Sequence, residues 1–313
     1  MRERAADELT QAIRSMSAAR PSSAAPGRGL GLGSAGYRLG AKVVRAIPPG
    51  LRHAAAAPGG SAWYLLSARQ RQHALTNYAA ALGLPRTDPR VARTARRAFQ
   101  NYGRVLMDFL LMGSLAPEEV IERVSIEGRD ELNAALARGK GAIMATPHMG
   151  SWDMAGSFAG AVGYSISAVA ERFPGSLNDA VVRTRQRFGL SVVTMGRSAV
   201  RAITDALAAN GVVALVCDLE QGPGVAVDFF GRRAIVPGGP AAIALKTGAA
   251  LMPACQYSVA PSRYHIHLDP PLAIHGGDTK ESLMQRVVDR FETFIKSRPE
   301  QWYAFRPMFR SEE

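Results

Sequence analysis

Cysteine is nearly missing from this 313-residue chain: Cys217 and Cys255 stand far apart, each in apolar surroundings. Two such thiols give neither a disulfide framework nor a cysteine zinc site. They fit a reducing cytoplasm and ordinary core positions. No window of about 20 residues is free of charges and breakers, so no transmembrane helix is expected. The first residues carry Glu3, Asp7 and Glu8 without a continuous apolar core, which argues against a secretory signal peptide. Acidic residues are scarce in one place. Residues 1–104 hold 17 Lys/Arg against 4 Asp/Glu, and the remainder holds 21 against 22, so the whole net charge of +12 belongs to the N-terminal third.

Within that third run Arg86, Arg90, Arg93, Arg96, Arg97 and Arg104, most of them at helical spacing. Such a field attracts polyanions, either an anionic membrane surface or nucleic acid. Zinc-finger spacing, an RNP-type aromatic motif and a long lysine run are all missing, so no nucleic-acid partner is expected. A solvated helix face and membrane docking both stay open. Tyr37–Ile47 sets Arg38, Lys42 and Arg45 beside Leu39, Val43, Val44 and Ile47, a pattern suited to a membrane interface or to packing on a core. Any membrane association should be peripheral.

The composition, 47% hydrophobic and 20% charged, is that of a globular protein. Residues 1–35 read as a flexible tail, rich at first in Ala, Ser, Arg, Pro and Gly. Gly31 to Gly36 matches a dinucleotide fingerprint in letters, but it follows a loop rather than a strand and is rejected as a cofactor site. Residues 36–115 read as a helical cap, with helices at Tyr37–Ile47, Ala68–Leu82 and Arg90–Leu111 and a break at Pro48-Pro49-Gly50. Residues 116–313 read as an α/β core. Strands are expected at Val124–Glu127, Gly141–Thr146, Ser165–Val169, Ser191–Val193, Val212–Val216, Leu251–Tyr257 and Tyr264–Leu268, with helices between most of them. The expected fold is one mostly parallel central sheet flanked by helices, with an N-terminal helical segment.

Charged residues gather where strands should end, the usual place for function in an open α/β sheet. His148 and Asp153 follow the Gly141–Thr146 strand, Glu171-Arg172 follows Ser165–Ala170, and Asp218-Leu219-Glu220 follows Val212–Val216. Five residues of helix leave two side chains roughly 140° apart, so His148 and Asp153 converge only if His148 lies in the loop. Pro147 supports that, since the residue before a proline is pushed out of the helical region. A neutral imidazole there is a general base, and a carboxylate fixes its tautomer. No nucleophile elbow is present, and neither cysteine has a base beside it in sequence, so direct attack by a substrate hydroxyl is expected. His265 and His267 alternate on a strand and point to one face, as a metal pair would, but two ligands without a third give no assigned metal site.

Taken in order, these residues resemble the bacterial lipid A biosynthesis acyltransferases and the actinobacterial phosphatidylinositol mannoside acyltransferases. The similarity runs from about Gly36 to Phe309 and rests on Ile126-Glu-Gly128-Arg-Asp-Glu-Leu132, Gly139-Lys-Gly141 and Pro147-His148-Met-Gly150-Ser-Trp152-Asp153. It continues through Ala170-Glu171-Arg172, Arg185 with Gly189, Val227-Asp-Phe-Phe230-Gly231 and Pro299-Glu-Gln-Trp302-Tyr. The resemblance implies that His148 removes a proton from an acceptor hydroxyl, which attacks the thioester of acyl-CoA or an acyl carrier protein. It implies that Asp153 orients His148, with Glu171 and Glu220 as further partners. Arg172, Arg185, Arg232 and Arg233 would hold phosphates of the donor or the lipid headgroup. Backbone N–H groups near Gly150 would meet the oxyanion, and side chains near Trp152 would line an acyl groove; Phe229-Phe230 could join them, although ordinary core packing is the better reading for the two phenylalanines.

Trp152-Asp153-Met-Ala-Gly156 and Ala170-Glu171-Arg172-Phe-Pro174 look more like the mannoside branch, whereas Ser151 and Asp218-Leu-Glu220 depart from the usual pattern. The expectation is a cofactor-free O-acyltransferase, peripheral on the cytoplasmic face of the cell membrane. It would act on a glycolipid sugar hydroxyl, either a phosphatidylinositol mannoside or a lipid A-type acceptor. A thioesterase and a non-catalytic lipid-binding protein remain as alternatives.

Overall fold

The structure, a computed structural model, describes residues 34–170, 176–194, 196, 199–221 and 224–309. The expected tail at 1–35 and the Glu171-Arg172 pair therefore lie, but for residues 34 and 35, outside the described residues. The chain begins with helices α1 (Ser34–Ala46), α2 (Pro49–Leu66), α3 (Ala68–Leu82), α4 (Pro89–Met112) and α5 (Pro117–Ile121). Strands and helices then alternate: β1 (Val124–Glu127), α6 (Arg129–Leu136), β2 (Ala142–Thr146), α7 (Trp152–Ala161), β3 (Ile166–Ala170), α8 (Ser176–Arg187), β4 (Leu190–Thr194), α9 (Ala199–Ala208) and β5 (Val212–Val216). The chain continues with β6 (Val225–Phe229), β7 (Arg232–Val236), α10 (Gly239–Thr247), β8 (Ala250–Ala260), β9 (Arg263–Leu268) and α11 (Lys280–Ser297).

Seven strands form one sheet in the order β1-β9-β8-β2-β5-β3-β4, while β6 and β7 pair separately. Every neighbouring pair in the large sheet is parallel except β8 with β9. All five residues of β2 are buried, as a central strand covered on both faces requires. The α/β class and the mostly parallel sheet are those read from the sequence. Among the described residues, no helix is long and apolar enough to cross a membrane.

Two elements depart from the expectation. Pro48-Pro49-Gly50 ends α1 but opens α2, because proline in the first helical turn lacks only an N–H that would be unpaired anyway. The separate β6–β7 hairpin was not read from the sequence. Its turn puts Phe230 at φ +54 and Gly231 at φ +71, both left-handed, with Phe where Asn or Asp is usual. Glu292 and Asp228 hold that turn by accepting the N–H groups of Phe230 and Gly231 at 2.5 and 2.8 Å.

The N-terminal helices share a core with the sheet. Gly60 lets α2 touch α4, since a Cβ there would lie 2.4 Å from the Phe99 carbonyl oxygen. Trp63 consequently packs edge-on against Phe99 and Phe305, with centroids 4.8 and 5.3 Å apart. On α3, the Asn77 amide donates to the carbonyls of Ala304 and Arg306, and the Tyr78 hydroxyl donates to that of Trp302. The helices thus hold the segment after α11 against the ends of the central strands.

Candidate active site

Strand β2 delivers the chain to Pro147, and the loop Pro147–Ser151 carries His148 before α7 begins. That loop is fastened to the segment after α11. The His148 carbonyl accepts the Tyr303 N–H at 2.8 Å, and the Gly150 N–H donates to the Gln301 carbonyl at 3.0 Å. Gly150 sits at φ +60, and a Cβ would fall 2.1 Å from the Gln256 carbonyl oxygen, so this turn requires glycine. Its N–H is already engaged by Gln301. The leading N–H groups of α7, by contrast, have no intrahelical acceptor.

His148 faces Asp218. Its Nδ1 lies 2.6 Å from Asp218 Oδ1, and the other carboxylate oxygen accepts the Trp302 indole N–H at 2.7 Å. An ionised carboxylate only accepts, so the imidazole proton belongs on Nδ1 and the lone pair on Nε2. The Asp218 side chain is fully buried, whereas that of His148 is 23% exposed. The carboxylate is thus fixed and the ring remains reachable. The His148 ring stands edge-on to Trp152 at 5.9 Å.

The carboxylate that the resemblance set beside His148 is engaged elsewhere. Asp153, buried in the first turn of α7, accepts from Arg185 Nε at 2.7 Å and lies 2.7 Å from a second guanidinium nitrogen. The helical offset explains this, because Asp153 leaves α7 toward α8 rather than toward the loop. Arg185 is itself buried and paired there. Glu220 is exposed, two residues beyond Asp218. Arg232 and Arg233 lie exposed at the start of β7 and do not line the cavity, with the Arg232 guanidinium over the Phe309 ring at 5.6 Å. Sequence reasoning named Asp218 only as a member of its loop and gave Trp302 no role. The signal available was the strand-end position of one and the family motif around the other.

A cavity of about 530 Å³ opens beside His148 and runs beneath α7. Gln70, Trp63, Tyr102, Tyr303 and Arg306 line it near the histidine, where Gln70 and Arg306 reach solvent. Its inner wall is apolar and mixes small residues, Ala155, Gly156 and Ala159 on α7 and Ala168, Ala214 and Ala254 on the strands, with the larger Met144, Phe158 and Leu190. Ile126, Leu132, Ile266 and Leu268 line it farther in. Trp152, Asp153 and Arg185 belong to its wall; Phe229 and Phe230 instead stack on each other at 4.8 Å and pack against Trp302. Burial holds Cys217 well above the ordinary thiol range and pushes Cys255 up to about 12, so both stay protonated at neutral pH.

The chain matches the bacterial lipid A biosynthesis acyltransferases over residues 34–311. It is 32% identical over 244 residues to the phosphatidylinositol mannoside acyltransferase of Mycobacterium tuberculosis strain H37Rv, covering 74% of this chain and 75% of that protein. It is 29% identical over 280 residues to the Mycolicibacterium smegmatis protein of the same name, covering 88% of this chain and 90% of the other. A buried carboxylate behind a reachable imidazole, beside an apolar cavity, suits the chemistry those names describe. The chain belongs to the bacterial lipid A biosynthesis acyltransferase family and is an acyltransferase.

Proposed function

We propose that this protein transfers a long acyl chain from acyl-CoA to a sugar hydroxyl of a glycolipid, the mannose of a phosphatidylinositol mannoside. The observation that carries this reading is the His148–Asp218 pair at the head of the apolar cavity. His148 Nε2 takes the proton of the acceptor hydroxyl as its oxygen attacks the thioester carbonyl. Asp218 offsets the charge of the imidazolium that forms, and Trp302 keeps the carboxylate aligned. The N–H groups in the first turn of α7 stabilise the oxyanion. Collapse expels the thiolate, which takes the proton back from His148. No covalent enzyme intermediate is required, in keeping with two buried, protonated cysteines.

The acyl chain lies beneath α7. Ten helical residues span about 15 Å, and half of a bilayer's hydrocarbon core is also about 15 Å. Each methylene buried there contributes about 0.8 kcal/mol. Arg306, at the solvent end, offers a guanidinium to donor phosphates. Leu65 and Leu66 are 65% and 84% exposed where α2 ends, two residues past the cavity-lining Trp63, and Leu39 and Val43 are exposed on α1 among Arg38, Lys42 and Arg45. Exposed leucines interleaved with cations suit docking on an anionic leaflet, the cytoplasmic one in this reading. The family description favours a lipid A-type glycolipid as the second acceptor to try.

Thiol release from palmitoyl-CoA, with and without a mannosylated phosphatidylinositol, tests the proposal. Wild type should release thiol only with acceptor and yield a lipid heavier by one acyl chain. His148→Ala should lower the rate by about 10²–10⁴-fold with an unchanged circular dichroism spectrum. Release without acceptor would indicate a thioesterase, and near-wild-type transfer by His148→Ala would remove His148 as the base.

A further inference from the structure

On the face of the sheet away from the cavity, the edge strand β1 and its neighbour β9 bring two histidines and a glutamate together. The parallel register sets Ser125 beside His265 and Glu127 beside His267. Strand alternation puts these four on one face, while Ile126, Ile266 and Leu268 line the cavity on the other. Glu127 Oε2 lies 3.0 Å from His267 Nδ1 and 3.5 Å from His265 Nε2. One donor atom from each of the three residues falls within 4.8 Å of the others. A tetrahedral ion with ligands at 2.0–2.1 Å holds them about 3.3 Å apart, a separation that the two measured distances bracket.

The surroundings have the form of an outer ligand shell. His265 Nδ1 lies 2.9 Å from Ser125 Oγ, and His267 Nε2 lies 3.0 Å from Asp269 Oδ1. Asp269 is buried and held by Arg290 through bonds of 2.6 and 3.0 Å. Both rings are packed, His267 edge-on to Phe294 at 5.5 Å and His265 against Tyr257 at 5.2 Å. Each imidazole therefore turns one nitrogen toward the shared carboxylate and the other toward an oxygen that fixes its orientation. Metal-ligating histidines show this arrangement.

We infer that Glu127, His265 and His267 form a binding site for a divalent transition-metal ion of the zinc type, with a solvent-facing fourth position. The ligand set, two imidazoles and one carboxylate, selects zinc, cobalt or nickel over magnesium or calcium. The ion pins edge strand β1 to β9 behind the inner wall of the cavity.

Zinc chloride titrated calorimetrically into untagged, chelator-stripped full-length protein tests this, with cobalt chloride as an absorbance probe. One equivalent should bind, with the visible bands of a four-coordinate cobalt site and a rise in melting temperature. Affinity should fall at least tenfold in His267→Ala and in Glu127→Gln, and about 10–100-fold in Asp269→Asn. It should be unchanged in His148→Ala and His275→Gln, which separates this site from the catalytic histidine. Should Asp269→Asn fail to fold, Ser125→Ala tests the same outer shell from the exposed strand. Binding that survives both His267→Ala and Glu127→Gln, or no saturable binding below about 1 mM, would overturn the assignment.

Discussion

The two faces of the central sheet are built from alternate residues of the same strands, and each buries an apolar cluster, but one is filled while the other is partly hollow. On the filled face, Ile143, Val213 and Leu251 meet Leu283, Val287, Phe291 and Trp302 in one buried cluster. On the hollow face, Ala168, Ala214 and Ala254 from the strands and Ala155, Gly156 and Ala159 from α7 are among the residues that line the cavity. Both sides bury apolar surface, and one also leaves the cavity. The His148–Asp218 pair spans the division. Asp218 is held by Trp302 from the filled side, while His148 opens onto the hollow one.

The division is tested most strongly where the faces meet. Asp218→Asn keeps the shape but favours the wrong imidazole tautomer, and transfer should fall by about 10²–10⁴-fold with little change in melting temperature. A loss of less than tenfold would show that the filled face does not serve the base. Phe291→Ala, wholly on the filled side, should cost about 3–5 kcal/mol of stability, measured by urea denaturation, while surviving folded protein keeps its preference among acyl donors. Ala159→Phe, on the hollow side, should do the reverse. Palmitoyl transfer should fall by about tenfold or more, since two lost methylene contacts already amount to roughly 1.6 kcal/mol, while short-chain donors and thermal stability change little. Equal losses for short and long donors would place the acyl chain elsewhere. The smallest effect is expected from thiol reagents. With Cys217 and Cys255 buried and protonated, neither should react in the native protein at pH 8, and transfer should persist.

Most of the fold was legible because short apolar runs bounded by turns carry their own signal. Val124–Glu127, Val212–Val216 and Ala68–Leu82 end where the sequence places them. α2 was hidden because Pro48-Pro49-Gly50 reads as a break, although proline is harmless in a first turn. The β6–β7 hairpin was hidden because its turn uses Phe230-Gly231 instead of Asn-Gly. At the site, strand-end placement revealed His148 and the Asp218–Glu220 loop. Which acid meets the imidazole depends on how β5 lies beside β2, a pairing of residues 70 positions apart that local spacing does not encode. The expected Asp153–His148 pairing failed to anticipate Arg185, which arrives from α8. Glu127 escaped notice as a third ligand for the same reason, since it is 140 positions from His267.

The fastening of the His148 loop to Gln301 and Tyr303 has a consequence for how the protein is made. His148 leaves the ribosome about 150 residues before Trp302. At about 5–20 residues per second this is an interval on the order of ten seconds. During that time the imidazole has neither its strap nor the indole that steadies its carboxylate. Until residues 301–303 are made, the nascent chain holds His148 and Asp218 without the contacts that align them.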